Sequence, residues 1–298
     1  MLSVVTGGLG FIGSHVAELL VAQGGRVVVV DNLSTGSEQN RVEGAEYRIE
    51  SLDDTPQDLL QAADYVFHLA ALPRIQPSFT DPVLHEQANV ILTIQLLLRL
   101  AGSPNLKKLV FSSSSAVYGT PEQTPTTEAA AISPLSPYAL EKYSAEQHCL
   151  ILGEFNRIPV IALRYFNPYG PRSFNTNNPF NAYSSVVGIF ANQKTAGQPL
   201  TITGDGLQSR DFIHVRDVAR ANLAAAVSPL TGRVYNVGAG TTLPILEVAK
   251  LFDHPYSFVA ERPGEARVTH ADISRIQQDL DWAPTLTLEQ AMAEQCVA

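Results

Sequence analysis

Apolar residues in the first half of the chain follow two alternating rhythms. Short unbroken runs lie at residues 27–31, 65–69, 109–111 and 160–164, and between them residues 81–101 and 137–155 carry apolar positions at helical spacing. Short apolar runs alternating with amphipathic stretches predict a parallel sheet with helices on both faces. Past residue 166 the pattern changes. Residues 167–179 are rich in Asn, Pro and Gly, the composition of a loop over a ligand. A helix at 215–226 and a strand at 234–237 are expected to return to the first domain, and residues from about 241 to complete a smaller α/β lobe. The expected division is 1–166 plus about 210–238 for the larger domain, and about 167–209 plus 239–298 for the smaller. No repeat, low-complexity tract or flexible linker interrupts it.

The first run is the most specific. Leu2, Ser3, Val4, Val5 and Thr6 lead into Gly7, Gly8, Leu9 and Gly10, then into a helix with Ile12, Val16, Leu19 and Leu20 on one face. The glycines fit the G-x-G-x-x-G spacing from Gly8 and a G-x-x-G-x-x-G spacing from Gly7. Glycine permits the tight turn and lets a pyrophosphate approach the backbone, where the helix N-terminus offers N–H groups to the anion. The second run ends in Asp31, the acid expected to bond a ribose diol and repel a 2′-phosphate. These features predict a Rossmann-type doubly wound parallel sheet with a smaller C-terminal α/β substrate lobe, binding NAD rather than NADP.

Bulk properties narrow the class. The 298 residues are 45% hydrophobic and 16% charged, enough for a substantial core. A formal net charge of −9 argues against a nucleic-acid or acidic-membrane surface. No apolar run reaches the roughly 18 residues that span a bilayer, and no targeting segment precedes the first strand, so a cytoplasmic protein is expected. Cys149 and Cys296 form no metal spacing, and the seven histidines are scattered, so no metal site is expected.

Two further positions suggest redox chemistry. Tyr138 and Lys142 stand four apart in an expected helix and so share a face, where an ammonium beside the phenol favours the phenolate. Lowering the phenol from about 10 to neutrality corresponds to about 4 kcal/mol, more than one cation supplies, and a positively charged nicotinamide nearby could provide the rest. Upstream, Ser112, Ser113, Ser114 and Ser115 follow an apolar strand, which sets them at its carboxyl end, where open α/β sheets bind ligands.

Together these motifs resemble the extended short-chain dehydrogenase/reductase proteins that act on nucleotide sugars, most closely the UDP-hexose 4-epimerases. The resemblance runs nearly end to end. Its landmarks include the glycine turn, Asp31 to Gly36, His68 to Ala71, the serine run, Tyr138 with Lys142, and Leu163 to Arg172. Further on come Gly204 to His214, Val234 to Gly238, and Arg262 to Glu265. It implies that Gly7, Gly10, Phe11, Ile12, Gly13, Asp31 and Asn32 contact the adenosine and pyrophosphate of NAD. Ser34, Thr35 and Gly36 would close the adenosine side. Leu69, Ala70 and Ala71 would line the dinucleotide trough, with Leu52 at its adenine end and Asn89 and Ser112 beside it. Tyr165 would approach the nicotinamide. Asn167, Arg210 and Arg262 would hold a UDP-sugar, and Glu265 would reach the uridine ribose. Tyr138 would take the proton from O4 while NAD accepts the C4 hydride, Lys142 would lower the Tyr138 pKa and bind the nicotinamide ribose, and Ser114 would bond O4. A homodimer paired through the helices at 81–101 and 137–155 is also implied.

The chain departs from that pattern at Ser51, where relatives carry an Asp that bonds adenine. Nucleotide-sugar dehydratases and decarboxylases carry carboxylates where this chain has Ser115 and Ala116, which favours epimerisation, with a UDP-glucuronate 4-epimerase as the alternative. An NAD(H)-sensing protein without catalysis is the reading from another class. Thr269, seven after Arg262, falls where hexose-restricted relatives carry a bulky Tyr, so room for an N-acetyl group is expected. The segment 178–183 also looks like the loop of N-acetylhexosamine epimerases.

Overall fold

The computed structural model describes residues 1–173, 185–261 and 264–294. In chain order the larger unit begins β1 (Leu2–Thr6), α1 (Phe11–Ala22), β2 (Arg26–Asp31), β3 (Glu46–Ile49), α2 (Gln57–Ala62) and β4 (Tyr65–His68). It continues with α3 (Ile75–Thr80), α4 (Pro82–Glu86), α5 (Leu92–Leu100), β5 (Lys108–Ser114), α6 (Pro137–Phe155) and β6 (Val160–Tyr165). The remaining elements are β7 (Pro168–Tyr169), α7 (Val186–Thr195), β8 (Leu200–Thr203), β9 (Ser209–Arg210), β10 (Ile213–His214), α8 (Val215–Val227) and β11 (Arg233–Val237). After them come β12 (Leu243–Pro244), α9 (Ile245–Leu251), β13 (Tyr256–Val259), α10 (Ser274–Leu280) and α11 (Leu288–Ala293).

Seven strands form one parallel sheet in the order β3-β2-β1-β4-β5-β6-β11. Alternate side chains leave opposite faces of a strand, and both faces are covered. Val5, Val29, Phe67, Val110 and Ile161 pack with Ala17 and Leu20 of α1 and Val218, Ala221 and Ala225 of α8. Val4, Val30, Val66, Leu109, Phe111 and Val160 pack with Leu96, Leu97 and Leu100 of α5 and with Ala145 and Cys149 of α6. Burial on two sides is why these strands read as unbroken apolar runs. The chain winds outward from β1 to β3, then crosses back to β4 on the other flank of β1. That reversal opens a crevice at the carboxyl ends of β1 and β4, beside the paired Thr6 and His68.

The expected helix at 81–101 is one continuous helical path with a π turn, Gln87–Ile91, between α4 and α5. Asp81 caps it by accepting the Leu84 N–H at 3.0 Å, and Pro82 fills its first turn. A second core gathers Tyr169, Val187, Phe190, Leu200, Ile202, Phe212, Val248, Phe252 and Leu288, so α7, β8, α9 and α11 close over one another as a smaller lobe. Residues 274–282 do not join it. Ile276 and Trp282 are buried in the larger core, and the Trp282 indole donates to the Asp217 carbonyl at 3.1 Å. Among the described residues no helix is long and apolar enough to cross a membrane, and no cluster of three or more His, Cys, Asp or Glu could hold a metal.

Candidate active site

The glycine turn sets one wall. Gly7 has φ +70°, and a Cβ there would stand 2.7 Å from the Ala70 backbone nitrogen, so the turn lies directly against the strip that follows β4. A Cβ on Gly13 would overlap the Gly7 carbonyl. Gly10 begins α1 without a side-chain cap, and no acidic residue occupies the first turn. The positive end of the helix therefore faces the crevice without a competing carboxylate.

Asp31 ends β2 beside this turn. Its carboxylate accepts the Leu9 N–H at 2.9 Å and the Leu33 N–H at 2.8 Å, one on each oxygen. Burial raises its pKa above the carboxylate norm while those two N–H groups oppose the rise. Each oxygen keeps a lone pair for a further donor. Gly36 packs on it, and a Cβ there would stand only 2.9 Å from Oδ1. A cleft of about 1270 Å³ runs from Asp31, Asn32, Ser34, Thr35 and Leu52 past Gly7, Gly10, Phe11, Ile12 and Gly13. It continues along Leu69, Ala70 and Ala71 to Ser112, Ser114, Tyr138, Lys142 and Tyr165. Ser51 is not on its wall, but Glu50, Arg172 and Ser173 are, and the sequence reading assigned them nothing. Arg172 closes the motif that runs from Leu163, and Glu50 directly precedes Ser51.

Asn89 stands beside the cleft with its side chain fully bonded. Its amide donates to the Leu72 carbonyl at 3.1 Å and to Glu141 Oε2 at 2.7 Å, and its carbonyl accepts the Leu72 N–H at 2.7 Å. These bonds tie Asn89 to the wall of the cleft, whose neighbouring residues Leu72 and Ala88 line it.

The groups expected to react sit where β5 ends and α6 begins. Ser136 caps α6 through the Ala139 N–H, 3.2 Å, and Pro137 opens its first turn. Tyr138 follows, with its backbone N–H donated to Ser78 Oγ at 3.1 Å and its phenol beside Ser114, which favours the ionised form. Lys142 does not point its charge at the phenol as its dominant partner. Its Nζ donates to the Ser112 carbonyl at 2.8 Å and lies 5.3 Å from the Phe111 ring centroid. In the free protein the environment of Tyr138 favours the neutral phenol. Burial pushes the phenol up to about 12, Ser114 partly offsets this, and Glu141 adds to it. Burial also pulls Lys142 down to about 8. Tyr165 accepts from Ser112 Oγ at 3.1 Å and donates to Asn222 Oδ1 at 3.0 Å, and burial raises it as well.

A second cavity, about 1970 Å³, shares Pro73, Ser114, Tyr138 and Tyr165 with the first. Asn167, Arg210, Glu265 and Thr269 line it, as do Ser115 and Ala116. Asn167, at φ +35°, donates to Thr269 Oγ1 at 2.8 Å and to the Asp211 carbonyl at 2.9 Å. Arg210 pairs with Glu265 at 3.4 Å. Arg262, the segment 178–183 and Cys296 lie outside the described residues.

With this geometry in view, comparison with known proteins is decisive. The sequence model of the NAD dependent epimerase/dehydratase family matches residues 3–238. The chain belongs to that family. It is 34% identical over 299 residues to the putative UDP-glucose 4-epimerase of Methanocaldococcus jannaschii, covering 97% of this chain and 95% of the relative. It is similar in structure to the UDP-N-acetylglucosamine 4-epimerase of Methanobrevibacter ruminantium in complex with UDP-N-acetylmuramic acid, with a TM-score of 0.89 and 36% identity over 99% of this chain and 94% of that one. It is equally similar, TM-score 0.89 with 31% identity over 98% and 97% of the two chains, to the UDP-glucuronic acid 4-epimerase of Bacillus cereus in complex with UDP-glucuronic acid and NAD. The cleft suits NAD: a bare helix N-terminus for the pyrophosphate, glycines where a Cβ would obstruct the turn, and an acid with spare lone pairs at the end of β2.

Asp31→Ser should weaken NAD binding on the order of tenfold to a hundredfold, the usual worth of a charge-assisted hydrogen bond, and narrow the preference over NADP. Cofactor extracted from the purified variant and titration with both dinucleotides measure this; unchanged content and preference would remove Asp31 from the ribose site.

Proposed function

We propose that this protein interconverts UDP-hexoses that differ in configuration at C4, using NAD as a tightly bound and regenerated cofactor. The observation that carries the reading is the shared wall of the two cavities. Ser114, Tyr138 and Tyr165 line both, so a sugar in the second cavity and a dinucleotide in the first would meet at a serine hydroxyl and a phenol. When bound, NAD supplies the acceptor and donor of the C4 hydride and a positive charge beside the phenol.

The chain's own residues do the rest. Tyr138, lowered toward the phenolate by that charge, takes the proton from O4 and returns it after the sugar has turned over. Ser114, beside Tyr138 on the shared wall, holds O4 on the path of the proton. Lys142 keeps an ammonium at the end of β5 within reach of the ribose, anchored on the Ser112 carbonyl. Arg210, inside the second cavity, suits a diphosphate, and Glu265, now paired with it, suits the uridine ribose. Ser115 and Ala116 offer no acid or base beside the sugar, which disfavours elimination of water or loss of carbon dioxide. The larger core would then be the dinucleotide domain and the smaller lobe the nucleotide-sugar domain, with residues 274–282 assigned to the larger. Exposed Val83, Leu84, Ile91 and Leu98 along α4 and α5, with exposed Leu140, Ile151 and Phe155 on α6, support pairing of two copies through these helices. The cytoplasm is the expected compartment.

Purified protein given UDP-Glc, UDP-GlcNAc, UDP-GlcA and their C4 epimers without added NAD tests the reading, with products identified by NMR. Turnover of UDP-GlcA alone would favour the glucuronate epimerase; no turnover would favour a sensor. Tyr138→Phe should lower kcat by orders of magnitude while leaving both ligands bound, and retention of more than about a tenth of the rate would exclude Tyr138 as the base. Thr269→Tyr should suppress only the N-acetyl pair, because the ring takes the space beside Asn167 that an acetamido group needs. Equal loss on plain hexoses would defeat that assignment.

A further inference from the structure

Glu141 lies on α6 between Tyr138 and Lys142, 1% exposed, and no part of the chemistry above uses it. Its Oε2 accepts the Asn89 amide at 2.7 Å. Among the described residues its Oε1 has no hydrogen-bond partner, and neither has the Nδ1 of buried His85, which stands 3.7 Å from Oε2. Burial raises the Glu141 pKa. A carboxyl group kept in such a place is poorly chosen for stability, since burying an ionisable group with an unsatisfied oxygen is unfavourable and an amide or apolar side chain would fill the same space.

What the carboxyl does hold is a relay. Asn89 clasps the Leu72 peptide from both sides, accepting its N–H and donating to its C=O. The π turn, Gln87–Ile91, contains Asn89, and its carbonyl accepts from Thr93 Oγ1 at 2.8 Å. Such turns add a residue to the helix and recur at functional sites. Leu72 lines the cofactor cleft, and the next residue, Pro73, lines both cavities.

We propose that Glu141 is a positioning residue that, through Asn89, fixes the Leu72–Pro73 wall relative to the catalytic helix and thereby retains the cofactor. The inference rests on the first cleft being the NAD site. Two hydrogen-bonded steps connect the helix turn that carries Tyr138 and Lys142 to the wall that faces them. With Glu141 removed, Asn89 loses its anchor on α6 and the wall can move away from the phenol.

The test is the NAD content of protein passed through gel filtration, with kcat and the apparent NAD affinity measured on the same samples. Glu141→Ala should carry at least tenfold less NAD, and saturating added NAD should restore kcat to within about threefold of wild type. Glu141→Gln, which keeps an oxygen acceptor for Asn89, should retain NAD as wild type does. If Glu141→Ala does not fold, Glu141→Asp, whose shorter side chain withdraws from Asn89, should show the same loss. The idea is overturned if the variants that withdraw from Asn89 keep wild-type NAD, if Glu141→Gln loses as much as they do, or if added NAD restores nothing. Wild-type protein that binds no NAD would instead overturn the assignment of the cleft.

Discussion

The site depends on the exclusion of water from the end of β5. Burial disfavours the charged form of any group, so it pushes the Tyr138 phenol up to about 12 and draws the Lys142 ammonium down to about 8. Both shifts favour the uncharged forms of the two groups. Neighbouring groups keep the field uncluttered. His68, beneath the site, is held down to about 3 by burial, with Lys142 adding to the effect, and so stays uncharged. Its ring accepts from or donates to Thr6 Oγ1 at 2.7 Å and Thr93 Oγ1 at 3.0 Å. Thr93 gives its own proton to the Asn89 carbonyl, so His68 Nε2 is the donor to Thr93 and Nδ1 the acceptor from Thr6. A phenol in this setting responds strongly to one added positive charge, because Coulomb interactions strengthen as the local dielectric falls.

The serine turn is fixed from the opposite side by a buried ion pair. Arg164 on β6 meets Glu146 on α6 at 2.6 Å, and Glu146 also accepts from Ser113 Oγ at 2.7 Å. Arg164 reaches Tyr118, whose hydroxyl donates to Asn236 Oδ1 on β11 at 2.7 Å. One network therefore joins three strands, α6 and the turn after Ser114. Removing Arg164 or Glu146 alone would strand the other's buried charge, at a cost of about 3–5 kcal/mol, so the pair gives the serine turn a rigid support.

Much of this was legible in the residues. The helix expected at 137–155 is α6 with the same bounds, because Ser136 and Pro137 mark its start and apolar spacing its length. The strands, the glycine turn and the family followed from local pattern. What was not legible depends on chain segments brought together from afar. Four-residue spacing sets Lys142 near Tyr138, yet the ammonium takes a strand carbonyl that passes beneath it, and burial draws its pKa down. Asn89 lies in a π turn that periodicity does not reveal, and its partners are 17 and 52 residues away. Residues 274–282 carry too little apolar length to disclose which core they join.

The central claim is that Tyr138 becomes a base only when positive charge is added to a water-poor site. The direct measurement is the ultraviolet ionisation titration of the phenol, wild type minus Tyr138→Phe, on cofactor-stripped protein and again with NAD bound. The stripped protein should show no Tyr138 phenolate below about pH 11, and NAD should bring its ionisation down by units. The same titration midpoint in both states would contradict the account.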